Sequence, residues 1–179
     1  MRNRYKVVEE DGLYLISSTI VDWIPIFTSD KYFQILIESM KFCQKIKGLK
    51  IFFYVLMDNH FHMIASGENL STTIASLKRH TAFEIIKELK SENKYWALQQ
   101  FKLQKKDYKD DSIHQVWQEG FHPQLISSAE MLAQKVDYLH QNPVKKGLIN
   151  EPEFWKYSSA CNKDFEGDPI IELDEIPYE

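Results

Sequence analysis

Cysteine, glycine and proline are scarce in this chain: two, six and six among 179 residues. The two cysteines, Cys43 and Cys161, have neither the paired spacing of a zinc site nor the density of a disulfide framework, which suits a reducing cytoplasm. Low glycine and proline with a hydrophobic content of 44% exclude collagen-like, low-complexity and disordered classes. No apolar run approaches the roughly 18–20 residues that span a bilayer. The longest, Ile51 to Met57, is strand-sized, and the opening stretch lacks the apolar core of a secretory signal. The expectation is a cytoplasmic chain with no membrane partner. Its length suits one domain over residues 1–163 followed by an acidic tail over 164–179, which the charge density predicts to be loose.

Net charge is −4, and it is unevenly placed. Residues 150–179 hold nine acids against two bases, so the remainder carries a small positive excess. Within it, residues 78–109 hold nine bases against four acids. A mildly basic body with an acidic end is compatible with a polyanion partner, and equally with a solvated lysine-rich helix face.

Hydrophobic periodicity supplies the elements. Residues 13–21 are β-branched and aromatic, a strand pattern. Thr28-Ser29-Asp30 offers helix caps ahead of Tyr32, Phe33, Leu36, Ile37, Met40 and Cys43, an i, i+3/i+4 stripe that ends before Gly48. Residues 49–57 form the strongest strand signal, and Asp58-Asn59 turns the chain into a second strand, HFHMIAS. A helix follows from Asn69–Thr73 to about Lys90, then a polar, basic and partly helical excursion over 91–111. Short strand-like pieces at 114–118 and 122–126 precede a helix capped by Ser127-Ser128 that stops at Asn142-Pro143. The order predicts an α+β fold of the ferredoxin-like, RRM-like split βαβ type. One antiparallel sheet carries helices on one face, and a C-terminal helix is added.

Two groups of residues could carry chemistry. His60 and His62 sit at i and i+2 on a strand, so both rings project from one face while Phe61 points to the other. Two imidazoles so placed can share a divalent cation, although two plain surface histidines give the same pattern. Tyr138 and Asn142 lie i and i+4 on a helix, one turn apart. A phenol there could serve as a nucleophile and the amide could lend an oxygen to a metal; equally, the tyrosine could merely pack and the asparagine stop the helix.

Read together, these stretches have a recognisable form. The run Tyr54-Val55-Leu56-Met57-Asp58-Asn59-His60-Phe61-His62-Met63-Ile64 resembles the HUH-motif strand pair of single-tyrosine transposases of the insertion-sequence 200/605 type, in particular the REP-associated tyrosine transposase branch. Three further blocks follow in that family's order: Val116 to His122, Tyr138-Leu139-His140-Gln141-Asn142-Pro143-Val144-Lys145-Lys146-Gly147-Leu148, and Trp155-Lys156-Tyr157-Ser158-Ser159-Ala160. The resemblance spans roughly residues 12–161, and its last two blocks are far more specific than His-x-His.

The resemblance implies that His60 and His62 bind Mg²⁺ or Mn²⁺, with Asn142 in the place of a third polar ligand. It implies that Tyr138 attacks single-stranded DNA bearing hairpins, leaving a 5′-phosphotyrosine link and a free 3′-hydroxyl, in a transposase that nicks and rejoins strands, and it allows a homodimer. Relatives often carry proline where this chain has Asp58. On the same footing the acidic tail is expected to lie away from the DNA, with phosphate contacts from Lys78, Arg79, Lys87, Lys105 and Lys106. Two alternatives stand beside this reading. One is a non-catalytic nucleic-acid-binding module on the same sheet. The other is a metallohydrolase using His60 and His62 with His114 or His122 as a further ligand and Tyr138 as an acid.

Overall fold

The computed structural model describes residues 7–9, 12–105, 113–162 and 167–176. Strand β1 (Tyr14–Thr19) is followed by a single 3₁₀ turn at Val21–Trp23 and helix α1 (Asp30–Lys47). The hairpin β2 (Lys50–Leu56) and β3 (His60–Ser66) comes next. Helices α2 (Leu70–Ser91) and α3 (Tyr95–Leu103), the two-residue strand β4 (Gln124–Leu125), helix α4 (Ala129–His140) and the short helix α5 (Asn142–Lys145) complete the order. The sheet is antiparallel with strand order β2-β3-β1-β4, as the split βαβ pattern requires.

Alternation along the strands sorts side chains onto two cores. Tyr14, Ile16, Ile51, Tyr54, Leu56, Phe61, Met63 and Ala65 face α1, α2 and α3 in the larger one. Leu13, Leu15, Phe52, Val55, Met57 and Ile64 face the other way, against Leu139 of α4 and the partly buried Met131, Leu132 and Val136. Helix α4 therefore covers the face opposite α1 and α2. Helix α1 starts after Ser29 and ends at Gly48, whose φ of 64° is the left-handed conformation that stops a helix cheaply. Within the 91–111 excursion, Ala97, Leu98 and Phe101 of α3 are buried, so this stretch is part of the core as far as residue 105; residues 106–112 lie outside the described residues.

Three sequence expectations are revised. The two strand pieces at 114–118 and 122–126 become one broken edge. Val21 N bonds Val116 O, Gln118 N bonds Thr19 O, and His122 N bonds Ser17 O. This segment thus advances four residues while β1 advances two, and the extra residues bulge out around Gly120, whose φ is 67°. Helix α4 ends at His140, but Pro143 does not stop the coil: it occupies the first turn of α5, where its missing N–H is no loss. Gln141 N still bonds Asp137 O and Lys145 N bonds Gln141 O, which keeps Tyr138 and Asn142 on adjoining turns. Third, residues 167–176 of the acidic stretch are packed rather than loose. Ile170 and Ile171 are buried in the larger core, and the Asp174 carboxylate accepts a bond of 2.8 Å from Ile51 N.

Residues 155–160 run beside β2. Leu56 N bonds Tyr157 O at 2.8 Å, Ser159 N bonds Tyr54 O at 2.8 Å, and the Trp155 indole donates to Leu56 O at 2.8 Å. Among the described residues no helix is long and apolar enough to cross a membrane.

Candidate active site

The site grows from the tip of the β2–β3 hairpin. Met57 N bonds His60 O at 2.8 Å and closes a two-residue turn at Asp58-Asn59. The turn is anchored to the segment after β1: Asp58 O accepts from Ile26 N and Phe27 N, and Asn59 O accepts from Ile20 N. The Asp58 carboxylate pairs with Lys146 beyond α5.

His60 and His62 project from the α4 face of β3, their ring centroids 4.9 Å apart and nearly perpendicular. Each Nδ1 has a fixed partner. His60 Nδ1 lies 2.7 Å from Asn59 Oδ1, which can only accept, so Nδ1 carries the hydrogen. The amide's orientation follows from its other end, where Nδ2 donates to Trp23 O at 2.9 Å. His62 Nδ1 lies 2.6 Å from Ser17 Oγ, directly across the β1–β3 ladder. With Nδ1 of His62 engaged by Ser17, Nε2 is the nitrogen left to that ring for a ligand, while the His60 ring bonds both Asn59 and Asn142.

Both rings are held neutral. Burial lowers the pKa of His60, helped by the nearby Lys146 ammonium and opposed by the ring's hydrogen bond to the Asn142 side chain and by Asp58. Burial and the neighbouring His60 push His62 down to about 3. Neutral imidazoles offer lone pairs, which a metal needs. Asn142 reaches this pair from α5 and hydrogen-bonds the His60 ring. Two imidazoles and one amide oxygen form an incomplete set that suits a borderline divalent ion with its remaining positions taken by water or phosphate. Among the described residues no three His, Cys, Asp or Glu side chains cluster as a metal cage, so neither His114 nor His122 completes one.

Tyr138 comes from α4. Its ring lies 5.4 Å from that of His62, at 66°, and remains 41% exposed, with the Lys145 ammonium 5.8 Å from its ring centre. All four residues singled out in the sequence thus meet on one face, within one chain. The helix that carries the tyrosine is fastened at its end, where His140 Nε2 lies 2.7 Å from Ser159 Oγ, itself bonded to the backbone of Tyr54. Ser159 therefore ties the end of the helix to β2.

The lysines expected to meet phosphate are elsewhere. Lys78, Arg79 and Lys87 are on α2, whose apolar side packs in the core on the other face of the sheet. Lys78 Nζ donates to the carbonyls of Gln118 and Gly120, tying down the bulge. Lys105 follows α3, and Lys106 lies outside the described residues. Among the described residues, Lys145 and Lys146 lie near the site. Sequence reasoning passed over Ser17, Trp23 and Ser159, and took Asn59 only as a turn residue. The register of β1 against β3 was the signal that could have found Ser17.

No family model matches the chain. It is 25% identical over 163 residues, 89% of its length and 85% of the other's, to a Haemophilus influenzae protein described as "Putative REP-associated tyrosine transposase". Its fold matches that of a REP-associated tyrosine transposase solved bound to a REP hairpin, with a TM-score of 0.66 over all of this chain and 95% of the other, at 15% identity. In sequence across most of its length the chain is thus similar to one protein described as a putative REP-associated tyrosine transposase, and in fold across all of it to a solved REP-associated tyrosine transposase.

Proposed function

We propose that this protein nicks and rejoins hairpin-bearing single-stranded DNA, with Tyr138 as nucleophile and His60, His62 and Asn142 as the holders of a divalent ion. The observation that carries the reading is the contact of Tyr138 with His62, which sets a phenol from α4 beside two neutral imidazoles from β3. The related structure's hairpin and the curated relative's name support a DNA substrate of this kind.

Chemically, the Tyr138 oxygen attacks the scissile phosphorus and loses its proton to solvent. The bond from phosphorus to the 3′-oxygen breaks, and that oxygen takes up a proton as a free 3′-hydroxyl. A 5′-phosphotyrosine link remains, and attack by another 3′-hydroxyl reverses the step and joins strands. A divalent ion, when bound, would draw charge from the phosphate oxygens as a Lewis acid. The donor set favours Mn²⁺ over the harder Mg²⁺. Ser17 and Asn59 hold the two histidine rings in place and so would keep them ready for such an ion, and Lys145 adds positive charge beside the tyrosine. Because nucleophile and histidines come from one chain, the chemistry needs no second copy.

The experiment is a denaturing-gel shift with labelled single strands from both flanks of the gene, using wild type and Tyr138→Phe with Mn²⁺ or EDTA. A metal-dependent covalent adduct absent from Tyr138→Phe is expected. Free nicked product from both proteins would favour the hydrolase reading, and DNA binding without cleavage would favour the non-catalytic module.

A further inference from the structure

The segment joining β1 to α1 contains two consecutive residues in the left-handed region, Asp22 at φ 53° and Trp23 at φ 56°. Neither is glycine, and such backbone conformations are held only where surrounding structure dictates them. Here it does. Trp23 N bonds Ile20 O at 3.1 Å, Ile24 N bonds Val21 O at 3.2 Å, and the Asp22 carboxylate accepts from the Gln104 amide. Trp23 O receives Asn59 Nδ2, the amide whose other atom orients His60.

The outcome of this bracing is an indole that is 59% exposed, where a ring of its size ordinarily gains from burial. It stands edge-on to His60 at 6.0 Å between centroids. Four rings therefore form a row, Tyr138, His62, His60 and Trp23, each at a steep angle to the next. Among the described residues Tyr138 and Trp23 are the two exposed aromatic rings that touch the histidine pair, one at each end. Other exposed aromatics, such as Phe83, Tyr95 and Trp96, lie on α2 and α3.

We propose that Trp23 is the stacking platform for an unpaired base flanking the phosphate at the His60–His62 pair. The proposal rests on the DNA reading above and deepens it. It assigns to the substrate an unpaired nucleotide on the His60 side of the cleavage point, because a base already stacked inside a duplex cannot lie on the indole. Stacking tolerates any base, since each has a π-face, so Trp23 holds the strand in place without reading its sequence. Trp23 is a positioning residue: it fixes where the backbone enters the site.

The test is equilibrium binding by fluorescence anisotropy, in a Tyr138→Phe background that prevents turnover. The probes are DNA hairpins with 5′ or 3′ single-stranded tails, intact or with one tail base at a time replaced by an abasic residue. Trp23→Asn serves as the main variant, because asparagine tolerates the left-handed backbone, and Trp23→Phe keeps a ring. Trp23→Asn is expected to weaken binding on the order of ten-fold, with Trp23→Phe between it and the parent. One abasic position should weaken the parent by a similar factor and leave Trp23→Asn unaffected. A structural role alone would not produce that coupling. If Trp23→Asn binds like its parent, or if every abasic penalty persists in it, the platform is overturned while adduct formation by wild type still stands. Coupling found without any adduct would overturn the chemistry and leave the platform standing. Failure to bind any tailed hairpin would overturn both.

Discussion

Ser17 stands directly across the β1–β3 ladder from His62, with its hydroxyl 2.6 Å from the ring's Nδ1. That contact fixes the ring's rotation and leaves Nε2 as the nitrogen available to a ligand. Groups in this position behind a metal-binding histidine commonly set affinity by factors of ten to a hundred. Ser17→Ala is expected to lower Mn²⁺ affinity by about that range with an unchanged circular dichroism spectrum. Calorimetric titration that finds equal affinity would remove Ser17 from the site.

The depressed His62 pKa has a signature in stability. In the folded protein the ring resists protonation down to about pH 3, whereas in the unfolded chain it takes up a proton below about 6.5. The unfolded state then binds more protons, so stability falls as pH falls from 6.5 towards 3. This one group contributes about 1.4 kcal/mol per pH unit across that interval. Denaturant titrations at pH 6.5 and pH 5 should show wild type losing about 2 kcal/mol more than His62→Gln. Equal losses would mean that the ring is not buried in its neutral form.

Ser159 joins α4 to β2. Its hydroxyl oxygen takes the Tyr54 N–H at 3.0 Å and meets His140 Nε2 at 2.7 Å. Ser159→Ala leaves these groups partly unsatisfied and is expected to lower stability by about 1–3 kcal/mol. Adduct formation should slow as well, at temperatures where the variant stays folded, because Tyr138 rides on the loosened helix. Unaltered rates would show that the apolar contacts of Leu139 hold α4 unaided.

Ile171 is fully buried although it follows the acidic turn of sequence near the C-terminal end. Ile171→Ala is expected to cost about 2–4 kcal/mol in chemical denaturation, the range of a buried aliphatic truncation. A change below about 0.5 kcal/mol would match a surface position instead.

The sequence made much of this readable, and the physics explains which parts. Period-two alternation placed His60 and His62 on one face and Phe61 on the other, since one strand's geometry fixes that without reference to neighbours. The helix start at Ser29 and stop at Gly48 were legible from local residue type, and Gly48 takes the left-handed cap, although the Ser29 side chain makes no capping bond. The missing pieces all depend on residues distant in the chain. Ser17 acquires its role only through register with a strand 45 positions on, and Lys78 turns from a DNA cation into a carbonyl clamp once α2 lies over the bulge. Ile170 and Ile171 were hidden by composition, because the acids around them outweigh two apolar side chains in any average over the segment. Trp23 was unreadable for another reason: no local pattern announces two left-handed residues in succession.

The strip at 155–160 and the bulge around Gly120 also decide how copies of this protein can meet. Along β2 the outward backbone groups are taken by Tyr157 and Ser159, and beside β1 the far border is broken at Gln118–His122, where Lys78 occupies two of the carbonyls. Among the described residues, a strand from a second molecule would meet interrupted rather than continuous rows of N–H and C=O groups along β2 and at Gln118–His122. Ladder extension is disfavoured at these two stretches by the same contacts that hold the site's supporting segments in place.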